Sequence, residues 1–325
     1  MKFFLVGYYG FDNTGDDICL IKTKEIIKST IPNASFAILG SSKQYINRNN
    51  LVKVIYTLAT SDRVVFGGGG LCQNVTSSLS LYYYLFLIAL ACLFKKPLYA
   101  LAQGIGPIQG KFNNWITMYM LKRFKSISIR DSSYESFIKE KKAIVSSDLA
   151  FYKESLHRSQ GCLQKVGINI CKLNYMPQIQ QIVLKLKSEQ LESVYLSFSK
   201  SQDLNLIETL NTHSDSILNI GDHNFYTKTN SELKFIVAMR YHCCIWAAIQ
   251  GIPFIALAYD EKVMLLAKQL QQPYIEIFKN EFSMQLFCAK YNDLNKNYNT
   301  FKSYLETQRD ELSNLATLNE MVLIS

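Results

Sequence analysis

The sequence predicts an α/β protein of two Rossmann-like domains facing a cleft. Three observations lead there. Short apolar runs alternate with helix-length stretches; glycine and polar clusters fall at the ends of several apolar runs; and a polar stretch at 153–164 interrupts the alternation, which then restarts. The chain has 325 residues, 48% hydrophobic and 19% charged, which is enough material for two cores.

Residues 2–6 read as a strand ending in a glycine-polar loop, from which Asp16 caps a helix running to about Ser29. Residues 35–39, 52–56 and 63–66 read as strands, the last running into four glycines. The apolar run 79–94 reads as a helix, 97–102 as a strand, 113–123 as a helix and 126–130 as a strand, after which Asp131 caps a further helix. The polar stretch 153–164, with His157 and Arg158, reads as a linker. Beyond it, strands are expected at 165–170, 193–198, 234–239 and 253–258, and helices from Met176-Pro177 onward, at 242–250 and at 261–270. A tail helix is expected over about 294–318, amphipathic enough to pack back across the domains. The expected division is 1–155, 164–292 and a C-terminal helical segment 293–325. Repeated β-α units imply parallel sheets covered on both faces, with ligands gathering at the carboxyl ends of the strands. Two such domains facing one another describe a glycosyltransferase-B-like architecture.

Composition excludes several function classes. Thirty-five basic and 26 acidic residues give a net charge of +9, dispersed rather than in a block. That suits a solvated basic surface, or attraction to anionic substrates or an anionic membrane face. No zinc-finger spacing, aromatic-basic RNA signature or arginine-rich arm points to nucleic acid. Eight cysteines stand at 19, 72, 92, 162, 171, 243, 244 and 288 without a C-x-x-C pair, so a zinc site is not expected; most lie in apolar segments and read as reduced, buried residues. The apolar start at 1–7 is too short for a signal-peptide core. The run 79–94, stopped by Lys95-Lys96-Pro97, is shorter than the roughly 20 residues that span hydrocarbon. It reads as a buried helix or one near a membrane-facing surface.

Five constellations could carry chemistry. The first is Gly7-Tyr8-Tyr9-Gly10-Phe11-Asp12-Asn13-Thr14-Gly15-Asp16-Asp17, a glycine-studded loop opening a helix, whose spacing is neither a dinucleotide fingerprint nor a P-loop. A tight strand-to-helix turn explains the same residues. The second is Gly67-Gly68-Gly69-Gly70-Leu71-Cys72-Gln73-Asn74, where four glycines are an entropically costly way to make a turn, so a backbone facing a ligand is expected. The third, Gln103-Gly104-Ile105-Gly106-Pro107, is again at a strand end. In the fourth, Arg130 ends a strand; its guanidinium suits a carboxylate or phosphate, or a salt bridge to Asp131 or another carboxylate. The fifth is Met239-Arg240-Tyr241-His242-Cys243-Cys244 followed by 253–262, with a fixed cation and a titratable imidazole at one helix start. His157, His213 and His223 have no such company and read as surface or structural residues.

In this order, GYYGFDNTGDD, GGGGLCQNVTSSLSLYYYL, AQGIGPI, SIRDSSYESF, SDLAF and MRYHCCIWAAIQGIPFIALAYDEKV resemble the polysaccharide pyruvyl transferase family, closest to the branch that pyruvylates secondary cell-wall polymers for surface-layer anchoring. The family often has aspartate where Asn74 stands, and an arginine where this chain has Cys171-Lys172, so Lys172 is a candidate for that charge. The resemblance implies that phosphoenolpyruvate supplies a three-carbon unit forming a cyclic ketal across two sugar hydroxyls with release of phosphate. It implies donor binding by Arg130, at the end of a first-domain strand, and by Arg240, His242 and Lys262 of the second domain, the donor side, with His242 and Arg240 catalytic. It implies acceptor binding by Asn13, Asp16, Asp17, Gly68, Gly69, Gly70, Asn74 and Gln103, on the first domain. No metal or cofactor is demanded, because phosphate is already the leaving group and arginines neutralise it. The acceptor is expected to be lipid-linked or polymeric, and the protein cytoplasmic with peripheral contact at the inner membrane face. A nucleotide-sugar glycosyltransferase of the same architecture is the competing expectation.

Overall fold

Two parallel sheets organise the chain. The computed structural model describes residues 1–75, 77–130, 137, 139–140, 143–154, 164–210, 216–221, 225–227, 233–278 and 282–324. The expected cap Asp131, the linker residues His157 and Arg158, and His213, His223 and Cys162 lie outside the described residues. The chain divides into two units, Met1–Lys153 with Leu312–Ser325, and Glu154–Glu311.

The first unit holds β1 (Lys2–Tyr9), β2 (Ser35–Gly40), β3 (Ile46–Asn47), β4 (Arg63–Phe66), β5 (Gly69–Cys72), β6 (Leu98–Ile105), β7 (Ser126–Ile129) and β8 (Ile144–Val145). Its sheet runs β3-β2-β1-β4-β6-β7-β8, with β5 added beside β6, and every pairing is parallel. The central strands are apolar on both faces, as a parallel sheet covered on both sides requires. One face, carrying Phe4, Val6, Val64 and Phe66, packs on α2 (Leu51–Ala59), α3 (Ser78–Leu93) and α4 (Lys111–Leu121). On the sheet's other side lies α1 (Thr14–Thr30), packed against the turn Leu149–Phe151 and against a short terminal helix, Asn319–Ile324. Fully buried Asn319 accepts from the Ser128 hydroxyl and donates to the Ala316 carbonyl at 2.8 Å, which ties the chain's end to this sheet.

Residues 52–56, expected as a strand, are helical. Val54, Thr57 and Leu58 are buried while Val52 and Tyr56 face solvent, a spacing of three and four that fits a helix and not a two-residue alternation. The Asn50 side chain starts α2 by accepting from the Lys53 N–H at 3.0 Å. Likewise Asn13, and not Asp16, caps α1: its side-chain oxygen accepts from the Gly15 N–H at 3.3 Å, and Asp16 and Asp17 occupy the first turn. No described helix is long and apolar enough to cross a membrane.

The second unit holds β9 (Lys165–Ile168), β10 (Glu192–Ser197), β11 (Ser216–Asn219), β12 (Leu233–Ala238), β13 (Phe254–Ala258) and β14 (Tyr274–Glu276). Its order β11-β10-β9-β12-β13-β14, all parallel, is the doubly wound 3-2-1-4-5-6 arrangement. One core joins β9, β12 and β13 to α5 (Met176–Ser188) and to the helix Met284–Lys296. The helix Tyr241–Gln250 is buried from Cys243 to its end. Gly251, at φ +67°, closes it in the left-handed conformation that glycine adopts without strain. The helix follows β12 directly, so its first residues lie at the sheet's carboxyl edge.

Candidate functional site

In a doubly wound sheet, ligands bind outside the carboxyl ends of the strands, where the strand order reverses. In the second unit that point lies between β9 and β12. The residues there are Asn169, Cys171 and Lys172 after β9, and Arg240 after β12.

Arg240 is the cap of the helix Tyr241–Gln250, designated α6 below, with an extended backbone at φ −71° and ψ 140°. Its N–H donates to the Asn169 side-chain oxygen at 2.8 Å, and Asn169 in turn donates to the Leu196 carbonyl at 2.9 Å. Its guanidinium forks onto Asp203. Nε lies 2.9 Å from both carboxylate oxygens and Nη2 lies 2.6 Å from Oδ1, while Gln202 Oε1 accepts from Nη2 at 2.9 Å. No partner takes Nη1 among the described residues. Asp203 is fully buried and also accepts from the Phe198 N–H at 2.8 Å. Burial pushes its carboxyl upward, with the Arg240 hydrogen bonds pulling against that shift. Burial opposes the Arg240 charge too, but Asp203 outweighs it and the guanidinium's pKa is raised. The pair thus fixes one face of the guanidinium and leaves the other edge for an anion.

Asp203 is therefore expected to be a positioning residue. Asp203→Asn keeps the shape but leaves a buried guanidinium without its counter-charge, a change that typically costs about 3–5 kcal/mol of stability. Denaturant unfolding reads this directly; a variant as stable as the parent would show that the pair does not hold Arg240.

Around Arg240 stand further groups. Lys172 Nζ lies 5.3 Å from the Tyr259 ring centroid. Burial pushes the Cys171 thiol up to about 11, with Arg240 drawing it down, so the sulfur is protonated at neutral pH and is no ready nucleophile. Burial likewise raises Tyr259, which keeps its phenolic proton. Lys262, half exposed, pairs with Asp260 at 3.2 Å, and Asp260 caps the helix Glu261–Gln269 through the Val263 N–H at 3.1 Å. His242 is the second residue of α6, its ring edge-on to Tyr241 at 5.3 Å and 82°. The first turn of α6 carries no acidic residue.

The reversal in the first unit lies between β1 and β4, and its chemistry is opposite in sign. Asn13 Nδ2 donates to Asp16 at 2.6 Å, and Asp17 accepts from the Gly10 N–H at 2.9 Å. Two carboxylates in the first turn of α1 offset the positive end of the helix dipole. Such a terminus disfavours an anion and offers acceptors to hydroxyl groups.

The four-glycine run is spent largely on packing. A Cβ at Gly67 would collide with the Tyr9 hydroxyl and Thr23, and one at Gly68 would stand 2.9 Å from Cys19 Sγ. Gly69 has φ +114° beside Asp16, and Gly70 is exposed. Gln103 is buried and donates to the Gly67 carbonyl. Asn74 forms a two-way clamp with the backbone of Gln109, accepting at 2.7 Å and donating at 3.0 Å. An aspartate could not make the donating half of that clamp. Arg130 lies across Gly104, where a Cβ would sit 2.6 Å from its Nη2, and pairs with Asp148 at 3.1 Å. Both members of this pair are buried, so of the partners considered for Arg130, the carboxylate found is 18 residues along the chain.

The structure thus groups Arg240, His242 and Lys262 with Lys172 in the second unit. It groups Asn13, Asp16, Asp17, Gly68, Gly69, Gly70, Gln103 and Arg130 at the strand ends of the first, with Asn74 turned to the loop at Gln109. Sequence reasoning missed Asn169 and Asp203. Asn169 had a signal, an amide at the end of the second unit's first strand. Asp203 had none, since it lies in a π-helical turn, Lys200–Leu204, remote in sequence from Arg240.

The family model for polysaccharide pyruvyl transferase matches residues 13–261. No curated protein sequence matches the chain. Among solved structures, a UGT transferase from Siraitia grosvenorii in complex with UDP is similar at a TM-score of 0.64 and 9% identity, over 99% of each chain. A glycosyltransferase from Rickettsia africae has a TM-score of 0.60 and 12% identity, over 99% of this chain and 96% of that one. The UDP-GlcNAc 2-epimerase from Neisseria meningitidis, bound to UDP-GlcNAc, has a TM-score of 0.58 and 10% identity over the whole of both chains. At these identities the likeness is one of fold: two Rossmann-like domains of the glycosyltransferase-B type.

Proposed function

The chain belongs to the polysaccharide pyruvyl transferase family, and from that premise we propose that it moves a pyruvyl group from phosphoenolpyruvate onto two hydroxyls of one sugar in a cell-surface polysaccharide or its lipid-linked precursor. One observation supports the division of labour above all others. The strand-order reversal of the second unit presents a braced arginine at an acid-free helix start, whereas that of the first presents Asp16 and Asp17. A donor bearing a phosphate and a carboxylate suits the former, and a polyol suits the latter.

In this reading Arg240 holds the donor through the guanidinium edge that Asp203 leaves open, and Lys172 and Lys262 add positive charge. His242 delivers a proton. A proton is added to the methylene carbon of phosphoenolpyruvate, and cationic character develops at C2. One sugar hydroxyl bonds to C2 and gives up its proton. The C2–O bond to phosphate breaks, a second hydroxyl takes its place, and its proton departs. Of the two hydroxyl protons, one balances the new methyl group and one leaves with phosphate. Proton transfer near neutral pH suits an imidazole. Asn13, Asp16, Asp17 and the exposed backbone at Gly70 are the proposed acceptor contacts.

The test is release of inorganic phosphate from phosphoenolpyruvate on adding candidate acceptor saccharides. The expected result is release that depends on both. Release of a nucleoside diphosphate from a sugar nucleotide instead, with no consumption of phosphoenolpyruvate, would assign the chain to glycosyl transfer.

A further inference from the structure

Between Asp62 and Asp131 the sequence contains no acidic residue but eight basic ones: Arg63, Lys95, Lys96, Lys111, Lys122, Arg123, Lys125 and Arg130. This interval includes α3 and α4, which pack side by side and are joined at their outer surface by a hydrogen bond of 2.7 Å from the Tyr82 hydroxyl to Asn113. Each helix shows solvent an apolar stripe. On α4, Phe112 is 65% and Trp115 60% exposed, with Tyr119 beside them, at a spacing of three and four residues that keeps them on one side. Their rings form a row, Phe112 to Trp115 at 6.0 Å and Trp115 to Tyr119 at 5.9 Å, and Arg123 continues it over the Tyr119 ring at 4.6 Å. On α3, Leu79 is 79% and Leu93 72% exposed, and Tyr82 and Phe86 lie between them. A shallow depression of about 380 Å³ runs along α4, with Trp115, Met118 and Tyr119 in it and Lys111 and Lys122 at its ends.

We propose that the α3–α4 face is a docking surface for an anionic lipid bilayer. Burying these side chains needs a partner, since exposed contiguous apolar patches mark interaction sites. The charge pattern selects which. Neither helix contributes a carboxylate, and the lysines flank the stripes with one carboxylate, Glu140, paired to Lys122, which leaves the face net basic, whereas protein interfaces are depleted in lysine. Tryptophan and tyrosine sit at headgroup depth, phenylalanine and leucine enter the acyl boundary, and lysines meet anionic headgroups. The helices lie along the surface and do not enter the bilayer as spans. The proposal deepens the reading of a lipid-linked acceptor, because docking would bring the chain to the layer in which such an acceptor is anchored.

The full-length chain is mixed with vesicles of phosphatidylcholine alone or with a third phosphatidylglycerol, with neither donor nor acceptor present. Binding is followed by co-sedimentation and tryptophan fluorescence. Of the two tryptophans, Trp246 is fully buried, so a blue shift on binding reports Trp115. The expected result is binding to anionic vesicles at least tenfold tighter than to neutral ones, weakened by salt. Phe112→Ser/Trp115→Ser/Tyr119→Ser and Lys111→Glu/Lys122→Glu should each weaken it at least tenfold with an unchanged melting temperature. Absence of binding by the parent chain, or equal binding by the stable variants, overturns the proposal. So does self-association of the parent that the aromatic variant abolishes, which would make the face an interface between copies. Vesicle binding without pyruvyl transfer would leave the docking surface standing and remove the reaction; transfer to a soluble saccharide without vesicle binding would do the reverse.

Discussion

Arg240→Lys is expected to lower kcat/KM for phosphoenolpyruvate by about 100-fold, within the 2–5 kcal/mol typical of losing one member of a buried hydrogen-bonded charge pair. The charge survives, but the fork does not. Lysine's three N–H groups diverge from a single nitrogen, so it cannot grip Asp203 from two nitrogens on one edge, as Nε and Nη2 do, and present a second planar edge to the donor. Inorganic phosphate is expected to weaken as a competitive inhibitor in parallel, which separates donor binding from the chemical step. Melting temperature serves as the control, because Asp203 is fully buried and an imperfect partner leaves its carboxylate under-satisfied. A stable Arg240→Lys variant with parental kcat/KM would show that the guanidinium geometry is not used.

His242→Ala is expected to have the other large effect, a loss in kcat of about 10²–10⁴-fold, the usual worth of positioned acid–base help. Donor affinity and melting temperature should change little. His242→Gln should be nearly as slow, since an amide can hydrogen-bond but cannot carry the proton. The structural alternative is that the imidazole serves the helix start, packed edge-on to Tyr241. In that case His242→Ala loses stability and the folded fraction turns over normally. Turnover of each variant beside its melting temperature distinguishes the two.

The parallel sheets were legible because their central strands are continuous apolar runs ended by glycine or polar clusters, a pattern that local sequence carries. Residues 52–56 misled because Val52, Val54 and Ile55 favour strands, while the buried set Val54, Thr57 and Leu58 becomes visible only once the packing partner is known. The short strands Gly69–Cys72, Ser216–Asn219 and Tyr274–Glu276 were missed for a related reason: their pairing is decided by neighbours far along the chain. At the site, Arg240 and His242 were legible as a pair at a strand-to-helix junction. Their support was not. Asp203 and Asp148 reach their arginines across 37 and 18 residues, through tertiary placement that no local spacing encodes. The glycine run shows a third kind of limit. Its costliness predicted a special role, but whether glycine makes room for a ligand or for Tyr9 and Cys19 depends on what β1 and α1 present to it.

The central claim is that phosphoenolpyruvate is the donor and a sugar diol the acceptor. The most direct measurement is mass spectrometry of lipid-linked and free saccharides incubated with the protein and phosphoenolpyruvate. The account predicts an acceptor that gains the mass of pyruvic acid less one water, in step with phosphate released, and no gain with His242→Ala on the same timescale. Saccharides that gain a hexose or acetamidohexose from a sugar nucleotide, and never a pyruvyl group from phosphoenolpyruvate, would contradict it.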